Sequence, residues 1–198
     1  RRHRQMCIRD RTKGDFISPY KDYVRARDRA CQCLIDCKIK TLPLDFIPLC
    51  VNYNTDIIKN SNIPSNNFAK LKPLELGKSF TTLNKSSKNY IIVDDSEPFY
   101  QQRFIIAHEF GHIIIPTLDE TEADYFGINI LAPACVLWAC NIHQIEDLIN
   151  MCHIPERAAK IRSRRLELLY HRNDFFTSSY EQTVLNQFSE FIKNNRHP

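Results

Sequence analysis

Two histidines four residues apart, His108 and His112, lie inside an apolar pattern that repeats at helical spacing. The stripe consists of Phe104, Ala107, His108, Gly111, His112 and Ile115. Residues three or four apart share one face of a helix, so both imidazoles are expected to face the core. Two unpaired imidazoles there would cost free energy, which favours a shared ligand over two ordinary core histidines. Gly111 costs about 1 kcal/mol relative to Ala in a helix and therefore predicts close packing by a neighbouring segment.

The same histidines frame the motif His108-Glu109-Phe110-Gly111-His112, which has the pattern H-E-x-x-H. Two imidazoles at this spacing can bind one Zn²⁺ ion, and the glutamate beside them can accept a proton from an attacking water. The sequence therefore predicts His108 and His112 as metal ligands and Glu109 as the catalytic base. Tyr125 and His143 are candidates for stabilising an oxyanion, and the sequence does not distinguish them.

A hydrolytic zinc site takes a third protein ligand and keeps one position open. The next predicted helix, about 119–131, begins with four acidic residues: Asp119, Glu120, Glu122 and Asp124. Glu120 and Glu122 point about 200° apart on a helix, so only one can face the metal. We predict Glu120 as a buried ligand and keep Glu122 as the alternative third ligand. Asp124 is placed to accept a hydrogen bond from the outer nitrogen of a ligand histidine. A capping box, Thr117-x-x-Glu120, is the competing interpretation of Glu120.

The distribution of apolar residues and turn signals predicts an α+β domain, mostly helical, with a small antiparallel sheet. Tyr90-Ile91-Ile92-Val93 is rich in β-forming residues and is expected to pair with a strand at about 78–83 as a hairpin. A short strand is predicted at 56–58. Helices are predicted at 20–39, near 44–52, at about 99–115, 119–131 and 142–151, after Pro155 to about Arg172, and at about 180–194. We expect residues 15–198 to form one domain, with 142–198 as its C-terminal helical part.

The net charge of +4 resides entirely in the first eleven residues, which contain five arginines and one aspartate. We interpret residues 1–14 as a disordered basic arm. The string 4–11 resembles adaptor-derived sequence from the ends of assembled contigs, and a native basic tail is the alternative. The remaining chain is neutral, so its charge gives no support to binding of nucleic acid.

Eight cysteines and the absence of a long apolar run indicate the cellular setting. No run approaches the ~18 apolar residues of a membrane span, and no apolar segment follows the basic start. We therefore expect a cytoplasmic protein with reduced, buried thiols and no membrane contact. Cys31, Cys33 and Cys37 have no matching second pair, so the sequence does not predict a zinc knuckle.

Three segments together resemble a known family: Arg103–His112, Glu120–Phe126 and Leu131-Ala132-Pro133. They closely resemble the ImmA/IrrE family of zinc metallopeptidases, over a range that extends from about Lys21 to Phe191. The resemblance implies a gluzincin-like, zincin-type fold and Zn²⁺ as cofactor. It also implies a protein substrate, a helix-turn-helix transcriptional repressor of a phage, mobile element or stress regulon.

Carried over to this sequence, the resemblance implies His108 and His112 as zinc ligands, Glu109 as catalytic base and Glu120 as third ligand. Two departures are visible. Gly127 stands where the family has a small alanine, and the linker between His112 and Glu120 is short.

A different function is suggested by residues 143–171, where a short helix, a turn at 152–155 and a basic helix resemble a helix-turn-helix. The basic helix carries five cationic residues that could contact DNA phosphates: Arg157, Lys160, Arg162, Arg164 and Arg165. The alternative prediction is therefore a DNA-binding or repressor-binding regulator without peptidase activity. A packing helix with a solvated basic face explains the same charges, so direct contact with nucleic acid is not expected.

Overall fold

A computed structural model describes residues 20–67, 69–82, 87–117, 119–172 and 178–197. The predicted arm at 1–14 lies outside these residues. The helices and strands, in chain order, are α1 (Tyr20–Asp36), α2 (Ile47–Asn52), β1 (Thr55–Lys59), β2 (Gly77–Thr81), β3 (Asn89–Val93), α3 (Phe99–Ile114), α4 (Glu120–Leu131), α5 (Ala134–Ala139), α6 (Ile145–Cys152), α7 (Glu156–Arg172), α8 (Ser179–Gln187) and α9 (Ser189–Asn195).

The α+β class is confirmed, but the sheet is mixed rather than antiparallel. Its strand order is β1-β3-β2. β2 and β3 form the predicted antiparallel pair, whereas β1 runs parallel to β3 on the other side. A parallel neighbour needs a long connection, and the segment between β1 and β3 includes all of β2.

The central strand β3 separates two apolar clusters. Ile91 belongs to the main core beneath the helices, while Ile92 packs with Ile63 and Leu71 on the opposite side of the sheet. Side chains alternate across a strand, so β3 is buried on both faces. The main core includes residues from all nine α-helices of the described chain. α3 packs against β2 and β3, and α4 packs against both α1 and α3.

The helices differ from the predicted ones at several points. α1 ends at Asp36 rather than at 39, and α2 begins at Ile47 rather than at 44. α5 was not predicted, because a six-residue apolar helix lacks enough turns to show a period. The helix predicted at 142–151 begins only at Ile145. The last predicted helix is two helices that meet at Phe188, whose fully buried ring packs into the core.

The cysteine prediction agrees with the described part of the chain. Its seven cysteines are free thiols, and six of them are buried. Cys7 lies outside the described residues. Within those residues, no helix combines the length and the apolar character needed to cross a bilayer.

Candidate metal centre

His108 and His112 project from consecutive turns of α3 toward α4. Their ring centroids are 4.8 Å apart, and the two Nε2 atoms are separated by 3.1 Å. Both side chains are largely buried, with 15% and 19% of their surface exposed. The i, i+4 spacing thus brings the two ring nitrogens to one point, as the helical pattern predicts.

Glu120 is the first residue of α4, and its carboxylate reaches both histidines. Its Oε2 atom lies 3.2 Å from Nε2 of His108 and 3.7 Å from Nε2 of His112. The side chain is 43% exposed, so the prediction that it is buried is wrong. Its position at the start of the helix keeps one side of the carboxylate open to solvent.

The outer nitrogen of each histidine is held by an oxygen atom. Nδ1 of His108 lies 2.8 Å from Oδ1 of Asp124, and Nδ1 of His112 lies 2.9 Å from the carbonyl oxygen of Thr117. When Nδ1 donates a hydrogen bond, the lone pair is on Nε2. Both rings therefore present Nε2 as the donor atom for a metal.

The three inner atoms have the chemistry and spacing of a zinc site. Among the described residues, His108, His112 and Glu120 form the one group of three potential ligands whose donor atoms lie within 4.8 Å of one another. Tetrahedral zinc with bonds of about 2.0–2.1 Å keeps its ligand atoms about 3.3 Å apart. The separations of 3.1–3.7 Å fit this arrangement. Two imidazoles and one carboxylate leave a fourth position for water or substrate.

Strong electrostatic coupling is present between these side chains. Burial disfavours the charged imidazole of His108, but hydrogen bonds with Asp124 and Glu120 outweigh it and raise its pKa to about 10. Hydrogen bonds with His108 and His112 in turn lower the pKa of Glu120. In the metal-free protein, the carboxylates thus stabilise a proton where a cation would bind.

Glu109 lies beside the histidines against strand β2. It is buried, with 7% of its surface exposed, and this burial raises its pKa while the nearby histidines and a hydrogen bond from Ser79 oppose the rise. A Cβ atom placed on Gly77 would lie 3.4 Å from Oε1 of Glu109, so the carboxylate reaches the backbone of β2. A carboxylate with a raised pKa is suited to taking and returning a proton near neutral pH.

Close contact between α3 and α4 depends on two glycines. A Cβ atom on Gly111 would lie 3.1 Å from Cα of Ala123, and one on Gly127 would lie 3.2 Å from the backbone nitrogen of His108. The prediction that a segment packs closely on Gly111 is confirmed. Gly127 of α4, which stands where the family pattern has alanine, packs against the backbone of His108.

Glu122, the alternative third ligand, lies away from the cluster. It is almost fully buried, and its two carboxylate oxygens accept hydrogen bonds from Arg25 of α1. The capping box, the competing interpretation of Glu120, is not formed, because Asp119 caps α4 by accepting from the backbone nitrogen of Thr121. Glu120 is therefore free of a capping role, and its described partners are the two histidines.

Neither candidate for oxyanion stabilisation has a described contact with this cluster. Tyr125 packs edge-on against Tyr23 of α1. His143 stacks on Tyr170 and bonds with Asn141. Sequence reasoning missed Ser79, whose alternation with Phe80 could have indicated that it faces α3.

A His/His/Glu cluster on two packed helices, with a buried glutamate beside it, is the arrangement of an H-E-x-x-H metallopeptidase. Residues 70–142 match the model of the Peptidase_M78 family, described as the IrrE N-terminal-like domain. Within these residues, which include the whole cluster, the match confirms the resemblance to the ImmA/IrrE metallopeptidases. Comparisons with curated proteins and with solved structures gave no match.

Proposed function

We propose that this chain is a zinc-dependent endopeptidase that cleaves a helix-turn-helix transcriptional repressor. The observation that carries the proposal is the convergence of His108, His112 and Glu120 beside buried Glu109. The family match over residues 70–142 supports the peptidase part. The repressor part rests on what the family resemblance implies.

Under this proposal, Nε2 of His108, Nε2 of His112 and the Glu120 carboxylate hold Zn²⁺. Bound zinc polarises the scissile carbonyl and makes water a stronger nucleophile at neutral pH. Asp124 and the carbonyl of Thr117 orient the two rings. Zinc is favoured over manganese because two imidazoles and one carboxylate form a donor set typical of catalytic zinc.

Glu109 takes the proton of the attacking water and delivers it to the leaving amine. Burial raises its pKa, which favours both steps near neutral pH. The hydroxyl of Ser79 orients the carboxylate by a hydrogen bond. General acid–base catalysis of this kind contributes about 10²–10⁴-fold to the rate.

The outer edge of β2 gives the substrate backbone a place to bind. At the two ends of the pairing with β3, the carbonyl of Leu76 accepts from Asp94 and the backbone nitrogen of Thr82 donates to Lys88. Backbone groups alternate in direction along a strand, so those of Gly77, Ser79 and Thr81 point away from β3. Among the described residues, no strand pairs with this edge. An extended peptide that adds to it would pass next to Glu109.

A cytoplasmic location is part of the proposal. It is supported by the seven free thiols of the described chain, because reduced cysteines are typical of that compartment. A transcriptional repressor as substrate requires the same compartment.

The alternative DNA-binding function receives less support from helix α7. Arg162 is buried, Arg165 lies over the ring of Tyr23, and Lys160 pairs with Glu156. Of the five cationic residues considered for DNA, only Arg157 and Arg164 are both exposed and without a described ion pair. A continuous basic face that could follow a phosphate backbone is therefore missing from the described side chains of α7.

The test combines metal analysis with a cleavage assay. We expect about one zinc per chain in the purified protein, and loss of that zinc in His108→Ala. The zinc-loaded protein is then incubated with the repressor encoded beside its gene, and mass spectrometry identifies the products. Cleavage by the wild type but not by Glu109→Gln supports the proposal. Complex formation without cleavage would instead indicate a repressor-binding regulator.

A further inference from the structure

Glu122 is a charged side chain buried in a helix interface, with 2% of its surface exposed. A buried carboxylate is costly unless it is paired and hydrogen-bonded. Arg25 meets this need by donating from Nε to Oε1 and from Nη2 to Oε2. The arginine belongs to α1, 97 residues earlier in the chain, and its side chain remains 58% exposed.

The same carboxylate contacts the connection between α3 and α4. The side chain of Thr117 interacts with Glu122 and helps to lower the pKa of its carboxyl group. The Thr117 hydroxyl accepts a hydrogen bond of 3.1 Å from the backbone nitrogen of Asp119, next to the start of α4. The carbonyl oxygen of Thr117 lies 2.9 Å from Nδ1 of His112. One residue therefore connects the buried ion pair to the outer nitrogen of a proposed metal ligand.

The connection is short, and its conformation decides where that carbonyl points. Five residues, 115–119, join α3 to α4. Loops are usually more mobile than the helices they connect. Among the described residues of this turn, Thr117 makes hydrogen bonds with both its hydroxyl and its carbonyl group.

We propose that Arg25 and Glu122 are positioning residues for the metal centre. They fix Thr117, and Thr117 in turn fixes the ring of His112 with Nε2 directed at the cluster. This inference rests on the proposed zinc site. It assigns a function to the second glutamate of the Glu120-Thr121-Glu122 sequence that is neither ligation nor capping. It also makes helix α1, which precedes the residues matched by the family model, part of what determines metal affinity.

The proposal is tested by measuring zinc affinity in competition with a chromophoric chelator. Removal of a group that orients a metal ligand costs about 10–100-fold in affinity. We expect a loss of this size in Glu122→Gln and in Arg25→Met. The double variant should lose no more than the larger single loss, because both changes break the same pair.

Thr117 gives a more specific pair of variants. Thr117→Val removes the hydroxyl but keeps the backbone carbonyl, and it should weaken zinc binding. Thr117→Ser keeps the hydroxyl and should restore the affinity of the wild type. Glu156→Gln is the matched control, since it breaks the exposed Glu156–Lys160 pair on α7 and should leave zinc affinity unchanged.

A spectroscopic measurement separates positioning from stability. In the cobalt-substituted protein, the visible absorption reports the geometry of the ligands, and it should change in Glu122→Gln and Arg25→Met. Wild-type zinc affinity with an unchanged cobalt spectrum would overturn the proposal, even if the melting temperature falls. Should Glu122→Gln fail to fold, Arg25→Met and Thr117→Val decide the question by the same criteria. A wild type that binds no zinc would refute the proposed function together with this inference. A wild type that binds zinc as tightly as its variants would refute this inference alone.

Discussion

The ionisable side chains of the α3–α4 pair differ from those of α7 in what surrounds them. On α3 and α4 they converge across one helix interface, where imidazole nitrogens and carboxylate oxygens lie 2.8–3.7 Å apart. On α7 the cationic groups are spread around the helix. Arg162 donates a hydrogen bond to the carbonyl of Ile128, and Arg165 lies over the ring of Tyr23. A small number of convergent groups therefore indicates chemistry here, whereas a larger number of like charges mainly reflects packing and solvation.

The largest effect should come from Glu109→Gln, which removes a proton acceptor from the convergent region. Cleavage should fall by about 10²–10⁴-fold, because the amide cannot take the proton of the attacking water. Zinc content and the circular dichroism spectrum should match the wild type, since the change is nearly isosteric. Steady-state cleavage of the repressor measures the effect, and an unaltered rate would show that Glu109 is not the base.

A change on α7 should lower the free energy of unfolding and leave zinc binding unchanged. Arg162 is 2% exposed and donates to the carbonyl of Ile128 and to the side chain of Asn129. Arg162→Met removes the hydrogen bonds to these two buried acceptors and should lower the free energy of unfolding by about 1–3 kcal/mol. Urea denaturation measures the loss, with Arg164→Gln as the exposed control that should stay within about 0.5 kcal/mol. A stable Arg162→Met variant with weakened zinc binding would show that α7 acts on the metal centre rather than on folding.

The convergent region should also show a pH dependence that the α7 arginines lack. The raised pKa of His108, about 10, means that the metal-free protein carries a proton there at neutral pH. Metal binding must release that proton, so the association constant for zinc should rise about tenfold per pH unit below that pKa. In the metal-free protein the bound proton stabilises the fold below the unfolded-state pKa of about 6.5, and this contribution is lost as the pH rises toward 10.

Calorimetry in two buffers with different ionisation enthalpies counts the protons released on zinc binding. Asp124→Asn provides the comparison, because it removes the carboxylate that stabilises the proton on His108. Equal zinc affinity across the pH range, without proton release, would contradict the coupling.

The smallest effect should come from the side chain of Ser79, which interacts with Glu109. Its hydrogen bond lowers the pKa of Glu109, so in Ser79→Ala that pKa should rise. The acidic limb of the kcat/KM profile should then move to higher pH, and kcat should fall about 2- to 10-fold. Ser79→Thr keeps the hydroxyl and should behave as the wild type, and Thr81→Ala controls for changes on the same strand. A profile that stays in place in Ser79→Ala would show that the hydroxyl does not act on the base.

Local spacing explains why the convergent region could be anticipated from the sequence. His108 and His112 are placed by one turn of one helix, and the contact of Asp124 with His108 follows from the same face of the next helix. The antiparallel pair β2–β3 was likewise accessible, because a polar turn separates two β-rich runs. Each of these features depends on residues close together in the chain.

Features that depend on distant partners could not be anticipated in this way. The pairing of Glu122 with Arg25 spans 97 residues, and burial of Arg162 depends on the end of α4, 33 or 34 residues earlier. The parallel arrangement of β1 similarly follows from its connection to β3. An arginine within a charged run looks solvated until the neighbour that accepts its hydrogen bonds is known.

The glycines at the α3–α4 interface have a consequence for the proposed metal centre. Backbone atoms meet at Gly111 and Gly127 with no room for a methyl group unless a helix shifts by a few tenths of an ångström. Metal–ligand distances tolerate about 0.2 Å, so such a shift would consume the whole tolerance of the site. A methyl group at either glycine should therefore displace the three proposed ligand atoms by as much as a metal site tolerates.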